Sequence, residues 1–405
     1  MDSDSSDDYY SRKKRAKTSE RKVCPYMKTI NRFLLDFDFE KICSETLTNL
    51  NVYACLLCGK YFNGRGSGTP AYIHSMEQDH HVFMNLSDGR VYCLPDNYEV
   101  DDVNNSLNDI RKNLNPTYTR SDIDSLPSTA ISLTGTPFMP GAVGLNPIRD
   151  NSYLNAVIHV LASLPQVRDG FLLSPPQKTV SSKLHASFGE LIRKMYNPEQ
   201  FKGTVSPHEF LQCVGKESNK EFFTTFNDPV KFLDWFLPTS VMSKLFQGHE
   251  GDTPFWTIHL DLPPMAVFKD DKNLISTVQL DEILDRHFRG KPLVSDFPDY
   301  MILGVNRFVK NDFFTEKNST IIRYPIKGLD MTAYGEDDGI PVLYDLVAVV
   351  SHEGSKPESG NFKSFIIQPQ TTDQWLECNG LRISKILPQS VVLVESYMMV
   401  WHRRE

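Results

Sequence analysis

The chain has 405 residues, 40% hydrophobic and 11% aromatic, with a formal net charge of −8. That length allows two or three domains with real cores, and the charge argues against a protein coated along its whole surface by nucleic acid. Seven cysteines are too few and too odd for a disulfide framework, no apolar run reaches membrane-spanning length, and the acidic N-terminus is not signal-like. A reducing, intracellular setting with no membrane partner is expected.

Residues 1–22 read as a disordered charged tail. An acidic, Ser-rich start gives way to a dense basic cluster, Arg12, Lys13, Lys14, Arg15 and Lys17. Such a cluster reads either as a nuclear-localisation or RNA-facing patch or as a plain solvated arm.

Residues 23–100 hold five of the seven cysteines. The informative spacing is Cys55-Leu56-Leu57-Cys58, then His74, then His80. Two thiolates on a short knuckle and two imidazoles suit one tetrahedral Zn2+ ion, which would also stabilise a domain this small. His81, next to His80, is the alternative fourth ligand, and spacing alone does not separate them. Residues 101–139, rich in Asp, Asn, Ser and Thr, read as a linker with a short helix near Leu107–Leu114. Beyond about Pro140, helical patterns cover Tyr153–Leu164, Ser181–Met195, Pro207–Val214 and Val230–Leu237. Strand-like runs follow at Phe255–Pro263, Tyr300–Phe308 and Tyr344–Gly354, and their alternation fits a half-buried antiparallel sheet.

Two stretches resemble a known family. Tyr53–Arg65 resembles the zinc finger of many ubiquitin proteases, and Gly144–Asn155 resembles the cysteine box of ubiquitin-specific proteases. The resemblance implies an α+β chain: a small UBP-type zinc finger, then a papain-like fold over 140–405 with a helical thumb and antiparallel-sheet palm and fingers. It also implies that Arg65, Tyr98 and Tyr53 occupy the place of a pocket for the ubiquitin tail, weakened because Leu94 and Pro95 stand where an aromatic lid is usual. Further zinc sites are eroded: Thr46, Asn63 and Pro70 replace ligands, so Cys24, Cys43 and Cys93 are expected in the core. With only Cys213 between residues 200 and 340, fingers that hold no metal are expected.

In the same alignment every catalytic position is altered. Ser152 stands at the nucleophile, Asn361 at the general base, Asn379 at the orienting acid, and Pro147 at the oxyanion donor; Arg149 replaces a glycine. An amide has no basic lone pair at neutral pH, and His352 belongs to the preceding strand, where it shapes a loop. Motifs including Cys24-Pro25-Tyr26, Leu35–Lys41, His80–Phe83, Tyr92–Tyr98 and Ser206–Glu209 resemble the splicing-factor branch of this family. That branch implies a nuclear, non-enzymatic scaffold for the spliceosomal tri-snRNP, with snRNP proteins as partners and small nuclear RNA nearby. The alternatives are a module that binds ubiquitin without cutting it and, further off, a residual deubiquitinase.

Overall fold

The structure is a computed structural model describing residues 23–102, 104–174, 182–223, 227–264, 276–310, 315–336, 339–371 and 373–404. The basic cluster 12–17 lies outside the described residues. The chain divides into two compact units, one running up to Asp36 and resuming at Lys41–Ile110, the other comprising Phe37–Glu40 and Arg111–Glu405.

The first unit is a five-stranded antiparallel sheet carrying one helix. Its elements are β1 (Val52–Cys55), β2 (Tyr61–Asn63), α1 (Pro70–Gln78), β3 (Val82–Asn85), β4 (Val91–Cys93) and β5 (Tyr98–Glu99), in sheet order β2-β1-β3-β4-β5. Strands β1, β3 and β4 are buried throughout. Cys24, Cys43 and Cys93 are all buried, as expected of core residues.

The linker expected over 101–139 is not a separate connector. Its first part belongs to the finger: Leu107 and Ile110 are buried, and Arg32 pairs with Asp109 while donating to the Ser106 carbonyl at 2.7 Å. Its later part belongs to the second unit, where Ile123 and Phe138 enter the main core. The division falls inside the helix α2 (Asn108–Leu114). Apolar residues scattered at wide spacing lack a readable period, so composition alone suggested solvent exposure.

The second unit packs helices against a large sheet. The helices are α3 (Arg120–Asp124), α4 (Ser152–Ser163), α5 (Pro165–Leu173), α6 (Lys183–Tyr196), α7 (His208–Glu217) and α8 (Pro229–Phe236). The strands that matter here are β6 (Gly144–Leu145), β7 (Thr204–Val205), β8 (Ile258–Asp261), β9 (Tyr300–Asn306), β10 (Lys327–Asp330), β11 (Leu343–Glu353), β12 (Asn361–Ile367), β13 (Trp375–Asn379), β14 (Arg382–Ile386) and β15 (Ser396–Arg403). The sheet runs β8-β9-β15-β11-β12-β13-β14, with β10 paired to β11. It is antiparallel except at one edge, where β8 and β9 run parallel. The expected half-burial also fails at β9, where six successive residues from Tyr300 are buried. Core clusters cover both faces there, Tyr300 and Ile302 facing one, Met301 and Leu303 the other. A strand enclosed on both sides needs no polar alternation.

Helix α4 is the centre of that core. Residues 153–163 are all buried, which is why its sequence is apolar on every side rather than on one stripe. It stops at Leu164 because the residue before a proline is pushed out of the helical region, and Pro165 then opens α5 at its first turn.

Candidate functional site

The first site lies in the finger. Cys55 closes β1, and the chain turns back tightly: Gly59 N–H donates to the Cys55 carbonyl at 2.9 Å and Cys55 N–H to the Lys60 carbonyl at 2.9 Å. Gly59 has φ +75°, and a Cβ there would lie 2.0 Å from the Leu34 carbonyl oxygen, so this knuckle requires glycine. His74 projects from α1. The helix ends at Asp79 in the left-handed conformation, which delivers His80 back to the same place.

The donor atoms of Cys55, Cys58, His74 and His80 all lie within 4.8 Å of one another. Cys55 Sγ is 3.5 Å from His80 Nδ1, Cys58 Sγ is 3.5 Å from His74 Nε2, and the two imidazole nitrogens are 3.0 Å apart. A tetrahedron with bonds of about 2.3 Å to sulfur and about 2.0–2.1 Å to nitrogen has edges of roughly 3.3–3.8 Å. The donor set fits zinc. The Cys58 thiol is held far below the ordinary range, first by its hydrogen bond with Cys55, then by the Lys60 N–H and the imidazoles; that same pairing and burial push Cys55 up. Metal binding would displace the remaining proton. Phe62 stacks on His74 at 4.2 Å and fixes its ring.

His81 does not join the cluster. One ring nitrogen bonds the Leu94 carbonyl and the other the Asp79 carboxylate, both at 2.8 Å, so neither is left for a metal. Among the described residues no second group of three metal-ligating side chains forms.

The tail-pocket residues are only partly assembled. Arg65 lies over the Tyr92 ring, 4.1 Å from its centroid, and donates to Asn97. Tyr53 supports Tyr92 edge-on at 5.9 Å. Tyr98 faces elsewhere: burial first, and then the neighbouring thiols of Cys93 and Cys24, raise its pKa. The aromatic partner of Arg65 is therefore Tyr92, which the sequence reading missed. Its place directly before Cys93 was the available signal.

The second site is the cleft at the start of α4. The loop before it is tied by a relay of amides. Asn151 Oδ1 accepts from Ile148 N–H at 2.9 Å, Asn151 Nδ2 donates to Asn155 Oδ1 at 3.1 Å, and Asn155 reaches the Asn146 carbonyl at 3.5 Å. Arg149 sits at φ +56°, a left-handed conformation that costs a side chain about 1 kcal/mol or more. That explains a glycine at this place in the related motif. Its guanidinium lies 5.1 Å from the Phe223 ring centroid.

Three of the four altered positions come together. Ser152 Oγ accepts from the Phe362 N–H at 3.2 Å, and Asn361, next to Phe362, donates from Nδ2 to Asn379 Oδ1 at 2.9 Å. The spatial order serine, amide, amide mirrors a nucleophile, base and acid, yet neither amide can take a proton from a hydroxyl at neutral pH. Pro147 is exposed and has no N–H. Two titratable neighbours among the described residues are Cys378 and His352. The Cys378 thiol is pushed up to about 12 by burial, and His352, its basicity lowered by burial, bonds the Ser359 carbonyl at 3.1 Å.

Family models match the chain on both sides of α2. The ubiquitin carboxyl-terminal hydrolase family model matches residues 143–401, and the model for the zinc finger in ubiquitin hydrolases matches 43–105. Ubiquitin carboxyl-terminal hydrolase 39 of Homo sapiens is 38% identical, covering 94% of this chain and 80% of its own length. Probable mRNA-splicing protein ubp10 of Schizosaccharomyces pombe is 36% identical over 93% of this chain and 88% of its own. A crystal structure described as an essential yeast splicing factor superposes with a TM-score of 0.82 at 26% identity, covering 94% of this chain and all of that one. The chain belongs to the ubiquitin carboxyl-terminal hydrolase family, with the family's zinc finger preceding the hydrolase-like domain.

Proposed function

We propose that this chain is a non-enzymatic pre-mRNA splicing factor, a scaffold that helps assemble or maintain the tri-snRNP. The observation that carries the reading is the Ser152–Asn361–Asn379 arrangement, which keeps the frame of a hydrolase site without a base. Relatives named for splicing, among them pre-mRNA-splicing factor SAD1 of Saccharomyces cerevisiae at 26% identity over 94% of the chain, support it. A fold can keep its binding surfaces after its chemistry is lost. In this reading the protein is nuclear, its partners are snRNP proteins, the basic cluster at residues 12–17 serves import or nearby RNA, and the finger's one zinc is structural.

Purification of the tagged chain from nuclear extract across a salt series tests it. Tri-snRNP proteins and their small nuclear RNAs should be retained at moderate salt. Ubiquitin conjugates without snRNP components would sink the scaffold reading. That result would favour the second reading, a module that binds ubiquitin without cutting it, for which Arg65 poised over Tyr92 is the supporting observation.

A further inference from the structure

Strand β14 ends the large sheet and, among the described residues, pairs only with β13. The two are joined by the two-residue turn Gly380-Leu381, with Gly380 at φ +57°. In such a hairpin the residues flanking the turn exchange backbone hydrogen bonds, and the pattern then alternates. Arg382, Ser384 and Ile386 therefore spend their backbone groups on Asn379, Glu377 and Trp375, their register partners. The N–H and C=O of Ile383 and Lys385 point away from the sheet. At the tip the Gly380 carbonyl is already taken by Leu145 N–H at 3.0 Å, so the free edge begins beyond the turn.

The side chains around this edge have a definite character. Arg382 and Lys385 are exposed, and neither pairs with a carboxylate among the described residues. Leu381 and Leu387, one at each end, are 53% and 69% exposed. Cationic edges deter pairing between identical copies, because like charges meet. The same cations favour a strand of opposite sign, with apolar residues to meet the leucines.

We propose that the β14 edge receives an added strand from an acidic, extended segment of a partner protein, held by the outward backbone groups of Ile383 and Lys385 and selected by Arg382 and Lys385. This is a recognition mode in which main-chain bonds give affinity and side chains give selectivity. It rests on the scaffold reading for its biological sense, but its test uses the purified full-length chain alone, so its failure would leave the snRNP association standing.

The probe is a synthetic nine-residue peptide of alternating glutamate and valine, with a lysine–valine peptide as its counterpart. Binding is read by fluorescence anisotropy and site-resolved hydrogen exchange. The acidic peptide should bind, slow exchange at the Ile383 and Lys385 amides, and weaken as salt rises. Ile383→Pro removes an outward N–H without touching the pairing to β13, and should weaken binding about fivefold to tenfold while the fold persists. The R382E/K385E double variant should reverse the preference toward the lysine peptide. Absence of binding at millimolar peptide, binding that leaves those two amides unprotected, indifference to Ile383→Pro, or edge-to-edge dimerisation of the chain would each overturn the proposal.

Discussion

Ser152 accepts from the Phe362 N–H and the neighbouring Asn361 donates to Asn379, all neutral hydrogen bonds, and that chemistry makes a definite demand at the residue scale. A fluorogenic ubiquitin-tail substrate should turn over no faster with this chain than without it, and Ser152→Ala should change nothing. Removing a single nucleophile or base from a working triad costs on the order of a millionfold in turnover, and here the base and the acid are both amides. Turnover abolished by Ser152→Ala would contradict the site geometry. A second residue-scale effect comes from His159, enclosed in α4, whose Nε2–H donates to the Val143 carbonyl at 2.9 Å. Burial pulls its pKa down to about 4, against the partial upward pull of backbone hydrogen bonds at Val143 and Asn155. An unfolded histidine titrates near 6.5, so between these values the unfolded chain binds a proton that the folded chain refuses. Stability from this group is therefore complete above about pH 6.5 and lost as pH falls toward 4, by about 3 kcal/mol in all. His159→Gln, which keeps a donor for Val143, should flatten that part of the pH profile in urea titrations; an unchanged profile would show that His159 is not the source.

At the scale of elements, the zinc knuckle and the hydrophobic helix were legible in the sequence because each is local. Cys55 and Cys58 share one turn, and α4 announces itself by an unbroken apolar stretch ended by Pro165. What sequence left open turns on contacts outside that knuckle: His81 bonds Leu94 and Asp79, while His80 stands with the other three donors. The pure protein should carry one zinc per chain by atomic absorption. His80→Ala should lose it and His81→Ala should keep it; the reverse result would reassign the fourth ligand. Sheet register was the least legible feature. The parallel pairing of β8 with β9, and the burial of both faces of β9, depend on what covers the sheet, which no local pattern records.

At the scale of the whole molecule, the segment Phe37–Glu40 shows how sequence order can mislead. It lies within the finger's stretch of sequence but belongs to the second unit. Asp38 accepts from the Ser206 N–H at 3.0 Å and lies 3.7 Å from both Lys194 and Lys202, while the Phe37 carbonyl accepts from Lys194 at 2.8 Å. Burial alone would discharge Lys194, but Glu190, Asp38 and Glu209 outweigh it and raise its pKa. Asp38→Ala leaves Lys194 with Glu190 at 3.4 Å but orphans the buried Ser206 N–H, so it should destabilise the second unit by about 1–3 kcal/mol in denaturant titrations. A loss below about 1 kcal/mol would mean that water reaches the Ser206 N–H. The catalytic remnant was readable position by position because its motifs are short and ordered; this anchor was not, since its partners lie more than 150 residues apart.

The most direct test of a splicing factor that works without chemistry is depletion and add-back in nuclear extract, with tri-snRNP level and splicing measured together. Depletion should lower both, and recombinant wild-type chain and a folded Ser152→Ala/Asn361→Ala variant should restore them equally. Restoration by the wild type alone, or depletion that leaves the tri-snRNP intact, would contradict the account.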